Sequence, residues 1–357
     1  MPEQSAPPAA PAPRVMPAWQ VLANGEPEEV MELGTVEVPE PGTGQVLVRV
    51  RTVALNFPDV LLARGRYQVR PELPFTPGIE LCGDVAAVGP GVTRVAVGER
   101  VVGWGQGALA RYALLPAAAV HPAPSGLDDV QACGLTIAYQ TAWFGLHRRA
   151  RLQPGETLLV HAAAGGVGSA ACRLGAAAGA HVVGVVGSPE KVDAARAAGA
   201  HEVYLRDDDW VTPLRERGAD VVIDPVGGAS FERSTKVVAF EGRIVVVGFA
   251  SGDLPRVRPD HVLVKNYSVL GLHWGLYQQF RPQLLDEAHE ALCRLVDDGE
   301  LVPDVSDVVA FEDAADGVRR LARGDTTGRI VVRVAADATG AAPGGTIRAT
   351  SGGGGDR

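Results

Sequence analysis

The six residues Ala163-Ala164-Gly165-Gly166-Val167-Gly168 leave few folds open to this chain. They follow a short apolar run, Thr157-Leu-Leu-Val-His161, and precede a segment of helical texture from Gly168 to Gly179. A glycine-rich turn in that setting is the mark of a dinucleotide-gripping βαβ unit. Gly165 permits the tight turn, Gly166 lets backbone N–H groups approach a pyrophosphate, and Gly168 lets helix and strand pack closely. The helix N-terminus adds unpaired donors and the positive end of its dipole. Ala164, Gly165, Gly166, Val167 and Gly168 are therefore candidate cofactor-binding residues.

The end of the following strand selects the cofactor. NAD-binding folds place an acid there for the ribose 2′-hydroxyl. This chain reads His181-Val-Val-Gly-Val-Val186, then Gly187-Ser188, with no acid before Glu190 and with Lys191 next. A hydroxyl and a cation in place of a carboxylate suit a 2′-phosphate, and Arg206, ending the next short strand, can add a second cation. NADPH is the expected cofactor. The competing reading makes Lys191 and Arg206 ordinary solvated charges.

Around this unit the texture changes. Up to about residue 136 short β-rich runs alternate with Gly/Pro turns; Gln45–Val53 has period two, with Val46, Val48 and Val50 on one face. Over 137–276 strands hydrophobic on both faces alternate with helices, as a covered parallel sheet requires. Residues 277–336 hold helices around Pro282–Leu295 and Phe311–Arg323, then a strand, Arg329–Val334, expected to return to the β-rich part. The segments 1–16 and 337–357, rich in Pro/Ala and in Gly, read as disordered tails. The fold class is α/β.

Composition removes several function classes. The formal net charge is −9 and no Lys/Arg-rich run occurs, which argues against nucleic acid as a partner. The four cysteines are far apart with no C-x-x-C pair, so neither a disulfide framework nor a structural zinc site is expected, in keeping with a cytoplasmic location. Leu174–Gly187 is apolar but too short to span a bilayer, so no membrane association is expected.

Taken in order, Leu55-Asn-Phe-Pro-Asp-Val60, Leu73-Pro-Phe-Thr-Pro-Gly-Ile-Glu80, Gly155–Val160, His161–Gly168, Asp224-Pro-Val-Gly-Gly228, Gly248-Phe-Ala-Ser-Gly252 and Gly328-Arg-Ile-Val331 form a specific set. With them the chain resembles the zinc-independent quinone oxidoreductase branch of the medium-chain dehydrogenase/reductase superfamily, from Trp19 to Val334. The resemblance implies a GroES-like catalytic domain over 17–136 and 277–336, and a Rossmann domain over 137–276. It also implies NADPH in the cleft between them and a homodimer. Ser188, Lys191 and Arg329 would hold the 2′-phosphate, where relatives often carry Tyr at the position of Arg206. Gly248 and Phe249 would join the cofactor-binding residues. Asn56, Asp59, Tyr67 and Thr136 match positions lining the nicotinamide and substrate cleft. Leu61 stands where many relatives have Tyr, which implies a more apolar pocket. Zinc-dependent relatives have Cys and His at the positions of Asn56 and Ile79, and neither residue here can replace a thiolate or imidazole on zinc. No metal is expected.

Without a Lewis acid, the acceptor must spread the incoming negative charge itself. A quinone is the leading substrate, and a conjugated enone or enoyl thioester the alternative. The oxyanion would be met by the Asn56 amide, the Tyr67 hydroxyl or a ribose hydroxyl. Other readings stay open: Asn56 and Asp59 as caps of a helix beginning near Pro58, Tyr67 as packing, and the whole as a non-catalytic NADPH-binding protein of crystallin-like or regulatory kind. Trp274, Tyr277 and Phe280 are read as a substrate wall, and His147-Arg148-Arg149 as a solvated helix end.

Overall fold

The computed structural model describes residues 14–334. The expected tails therefore lie outside the described residues, except that Val15 and Met16, placed in the first tail, already belong to strand β1. Met16 is buried there, which gives the strand an inward anchor.

Strands β1 (Val15–Val21) and β2 (Met31–Glu37) pair antiparallel around helix α1 (Pro27–Val30). The β-rich sheet follows with β3 (Gln45–Ala54), β4 (Glu80–Val88), β5 (Arg100–Trp104), β6 (Tyr112–Pro116) and β7 (Val120–Pro122). Helix α2 (Phe57–Ala63) fills the β3–β4 connection, and α3 (Asp129–Cys133) follows β7. Val46, Val48, Val50 and Val53 of β3 are all buried, so its alternation does face a core.

Helix α4 (Ile137–Trp143) leads into a π-helical turn, Phe144–Ala150, and then into the parallel sheet. Its strands are β8 (Thr157–His161), β9 (His181–Val186), β10 (Glu202–Leu205), β11 (Ala219–Asp224), β12 (Val238–Val246) and β13 (Ser268–Gly271). Their spatial order is β10-β9-β8-β11-β12-β13, every neighbouring pair parallel. That is the doubly wound Rossmann order, with its switch between β8 and β11. The covering helices are α5 (Gly166–Ala177), α6 (Val192–Ala197), α7 (Val211–Arg217), α8 (Gly228–Val237) and α9 (Pro259–Lys265).

Beyond it lie α10 (Gly275–Phe280), α11 (Gln283–Asp297), β14 (Val305–Ala310), α12 (Ala314–Arg323) and β15 (Arg329–Arg333). β15 runs antiparallel to β3, with Val332 opposite Val53, and parallel to β14. The chain end thus re-enters the GroES-like sheet. One apolar core is continuous between the two sheets through Trp104, Tyr139, Phe144, Leu285 and Leu292.

Candidate functional site

Helix α5 starts at Gly166, two residues before the expected start, because Gly165 is its extended N-cap residue (φ −87, ψ 174). Three residues earlier Ala162 sits at φ +50, and Gly165 N–H donates to Ala162 O at 2.8 Å, which closes the turn. A Cβ on Gly168 would lie 2.0 Å from Ala162 O, so this position admits only glycine without moving the backbone. The turn is also gripped from the other sheet. Gly328 N–H donates to Ala164 O at 2.7 Å, and Arg329 N–H donates to Asp304 O at 2.9 Å. On the outer side of α5, Arg173 donates to Asp304 at 2.5 Å.

Ser188 and Lys191 follow β9 and Arg206 follows β10 at the same end of the parallel sheet. The Arg206 guanidinium lies 3.3 Å from where a Cβ of Gly187 would be, while Lys191 Nζ donates to Gly324 O. Ser188 Oγ donates to Glu190 at 2.5 Å, and that hydrogen bond holds the Glu190 carboxyl below its usual range. A phosphate here would take over the Ser188 hydroxyl from Glu190. Arg233 donates to Arg206 O and Asp208 O and stacks 4.3 Å over the Trp210 ring, which braces the loop that carries Arg206. Gly248 and Phe249 follow β12 at the same end of the sheet; Phe249 is partly exposed.

Arg329 does not belong to this corner. Its side chain is only 4% exposed and runs beneath Gly166 to donate to Asn56 Oδ1 at 2.9 Å and to Glu80. The 2′-phosphate role expected for it is corrected: the buried Glu80 carboxylate draws the guanidinium away from the Ser188 side. Its neighbouring segment does reach that side, at Gly324 beside Lys191.

Glu80 is the hub that the sequence reading passed over. Fully buried, it accepts from Asn56 Nδ2 at 2.9 Å, from Ile137 N–H at 2.6 Å and from Arg329. The available signal was an acid opening an otherwise mostly apolar strand. Asn56 Nδ2 also donates to Ala54 O at 3.0 Å, so both amide hydrogens are in use and the expected oxyanion role for Asn56 is corrected to a positioning one. Asp59 is likewise corrected from cleft to cap. Its oxygens accept from Asn56 N–H at 2.8 Å and Gly78 N–H at 3.1 Å, closing the first turn of α2. Burial pushes the Asp59 carboxyl up to about 7, against the pull of those two N–H donors. Tyr67 is half-buried, and burial followed by the Asp59 charge raises its phenol, so it stays a neutral donor.

Thr136 is buried at the start of α4, and its hydroxyl has no hydrogen-bond partner. Near it stands an aromatic series that the sequence reading partly anticipated. Trp104 stacks on His121 at 5.1 Å and meets Trp274 edge-on at 5.3 Å, while Trp274 Nε1 donates to Gln140 Oε1 at 3.2 Å. The buried Trp104 Nε1 and Gln140 Nε2 are left without acceptors. Buried orphan donors cost about 1–3 kcal/mol each, so a ligand acceptor is a natural partner for them. Of the other aromatics, Tyr277 packs against Phe144 in the core and Phe280 is exposed. Cys133 is buried against Thr52 O at 3.4 Å, and burial pushes its thiol well up.

Comparison with known proteins agrees with this geometry. The model of the zinc-binding dehydrogenase family matches residues 166–290, and that of the alcohol dehydrogenase GroES-like domain matches 42–125. A quinone oxidoreductase-like protein 2 homolog of Nematostella vectensis is 39% identical over 300 residues, covering 82% of each chain. A quinone oxidoreductase of Pseudomonas syringae pv. tomato superposes with a TM-score of 0.82 at 34% identity, over 89% of this chain and 99% of that one. The mycobacterial protein Rv1454c, solved in complex with NADPH, gives 0.83 at 29% identity over the same shares. With its GroES-like sheet, its Rossmann sheet and these relatives, the chain belongs to the quinone oxidoreductase branch of the medium-chain dehydrogenase/reductase superfamily.

Proposed function

We propose that this protein is an NADPH-dependent, zinc-independent reductase whose acceptor is a quinone. The reading is carried by one observation: at the end of β9 a hydroxyl and two cations, Ser188, Lys191 and Arg206, stand where a carboxylate would select NADH. The turn fits the cofactor, since the space a Gly168 Cβ would fill is already taken by Ala162 O and only a bare backbone can offer its N–H groups there. Bound NADPH supplies the hydride. Ala164 to Gly168 would hold its pyrophosphate, and Gly248 and Phe249 would flank it.

The acceptor class rests on the residues of the cleft. Asn56 and Ile79 occupy the positions of the zinc ligands in zinc-dependent relatives, and Asn56 is committed to Glu80 and Arg329. With no Lewis acid to hold an alkoxide, the acceptor must delocalise the charge. The buried Thr136 hydroxyl and the Trp104 and Gln140 N–H groups have no partner among the described residues, and such donors suit an acceptor carrying carbonyl oxygens, with the Tyr67 hydroxyl as a further donor. One quinone oxygen then gains its proton from water after hydride arrival, as a hydroquinone anion needs no strong acid. A conjugated enone or enoyl thioester fits the same donors through one oxygen only.

Among the described residues no helix is long and apolar enough to cross a membrane. The cysteines are free thiols, in keeping with a cytoplasmic protein. The deciding experiment follows NADPH absorbance with a panel of quinones, enals and enoyl thioesters. Fastest consumption with a quinone is expected. Faster turnover of an enoyl thioester would move the assignment to C=C reduction, and no consumption with any acceptor would leave a binding protein.

A further inference from the structure

The parallel sheet has a second pole, at the N-terminal ends of its strands, away from the turn and the β9 corner. A shallow cavity of about 500 Å³, broadly open to solvent, lies there, lined by Arg148, Arg149, Arg151, Arg243, Glu156 and Ser268. Glu156 directly precedes β8, Arg243 lies in β12, and Ser268 opens β13.

The arginines of this cavity are not equivalent. Arg243 is saturated: it forms a two-pronged pair with Glu156 at 2.8 and 2.9 Å, and donates to Ala150 O at 2.8 Å, Asp220 O at 3.2 Å and Arg151 O at 3.3 Å. It therefore neutralises Glu156 and satisfies the carbonyls at the end of the π-helical turn. Basic residues after a helix often serve that purpose, but here it is already served. Arg148, Arg149 and Arg151 are exposed, and no ion pair or hydrogen bond of their guanidinium groups is found among the described residues. The backbone presenting them is special on two counts. Phe144–Ala150 is π-helical, a rare form that recurs at functional sites. Arg151 is held in the left-handed region at φ 54, ψ 50, a cost of order 1 kcal/mol for a residue with a side chain. Glu241 is the single unpaired acid on the rim, so the cavity is locally positive in a chain of net charge −9.

We propose that this cavity is a second anion site, for a ligand bearing a phosphate or pyrophosphate group. Guanidinium forks bind phosphate oxygens in pairs, and three free forks around a floor fixed by Arg243 and Glu156 supply that geometry. The ligand would lie across the sheet from the cofactor. β13 is one of the two edge strands of the sheet, so a second copy of the chain docking along it would pass close by.

The test uses the full chain saturated with NADPH, which occupies the phosphate positions of the cofactor site, at fixed ionic strength. Inorganic pyrophosphate is titrated calorimetrically into the wild type, into Arg148→Gln/Arg149→Gln/Arg151→Gln, and into Arg70→Gln/Arg256→Gln/Arg281→Gln, which removes equal charge from exposed arginines elsewhere. The wild type and the control should bind one pyrophosphate, and the cavity variant roughly tenfold more weakly or worse. Inorganic phosphate and AMP in parallel titrations separate a free anion from a phosphate ester. No binding by the wild type, or equal loss in both variants, overturns the proposal. So does a cavity variant that binds pyrophosphate normally but sediments as a smaller species, since its arginines would then be an inter-subunit contact. Should the triple variant not fold, Arg149→Glu alone is expected to weaken binding at least as much as one of the three losses, and unchanged binding overturns the site.

Discussion

Glu80 and Arg329 face each other with almost no exposed surface, and each also holds Asn56. Breaking a buried pair from one side leaves an uncompensated charge, worth about 3–5 kcal/mol. Glu80→Gln should therefore lower stability by about 3 kcal/mol in urea denaturation, and adding Arg329→Met should recover at least half of the loss. Lys191→Ala should weaken NADPH binding roughly tenfold while leaving NADH within about twofold, as read by cofactor fluorescence. Equal loss for both would remove the 2′-phosphate role. His121 offers a test by pH. Burial, then the neighbouring His289, pushes its imidazole down to about 4, although Asp286 pulls the other way. The folded protein thus binds fewer protons here than the unfolded chain. Stability from this group is present above about 6.5 and is lost as pH falls toward 4, by up to about 1.4 kcal/mol per unit. Denaturation midpoints at pH 7 and 5 should differ less in His121→Phe than in the wild type. Ser188, Lys191 and Arg206 could be proposed from sequence as cofactor contacts because they follow two neighbouring strands, β9 and β10, close behind the turn. Glu80 could not be paired with Arg329 in that way, because 249 residues separate them.

The β8–turn–α5 unit was legible because each of its signals is local: an apolar run, then glycines at fixed offsets, then small residues that let the helix lie close. Gly168→Ala tests that unit directly. Its Cβ would be placed 2.0 Å from Ala162 O, so the turn must shift; loss of NADPH binding beyond tenfold and a lowered melting temperature are expected. The reading was weakest where one short segment serves two purposes. Asn56-Phe-Pro-Asp59 looks like both a helix cap and a cleft wall, and the fold resolves it, with Asp59 closing the helix and Asn56 turned toward Glu80. The π-helical turn had no signal in the sequence, and the side chain that caps its last carbonyl, Arg243, arrives from distant β12.

At the scale of the whole molecule, β13 is one of the two edge strands of the parallel sheet, β10 being the other. Beside β13, Leu263 and Val264 of α9 are 79% and 83% exposed, and Phe240 of β12 is 72% exposed. A free strand edge flanked by exposed apolar side chains is a surface that a second copy can cover, which supports the homodimer implied by the resemblance. Leu263→Asp/Val264→Asp should shift sedimentation from dimer to monomer with unchanged circular dichroism; an unchanged sedimentation coefficient would place the interface elsewhere. The bond from Gly328 to Ala164 carries a different consequence, one of timing. A chain growing on the ribosome has made all six strands of the parallel sheet by Gly271, and Glu80 long before that. The cation that Glu80 needs, and the clamp on the glycine turn, are made only with residues 328 and 329. Until then the growing chain holds the glycine turn without its clamp and Glu80 without its cation, so the last strand of the GroES-like sheet completes both together.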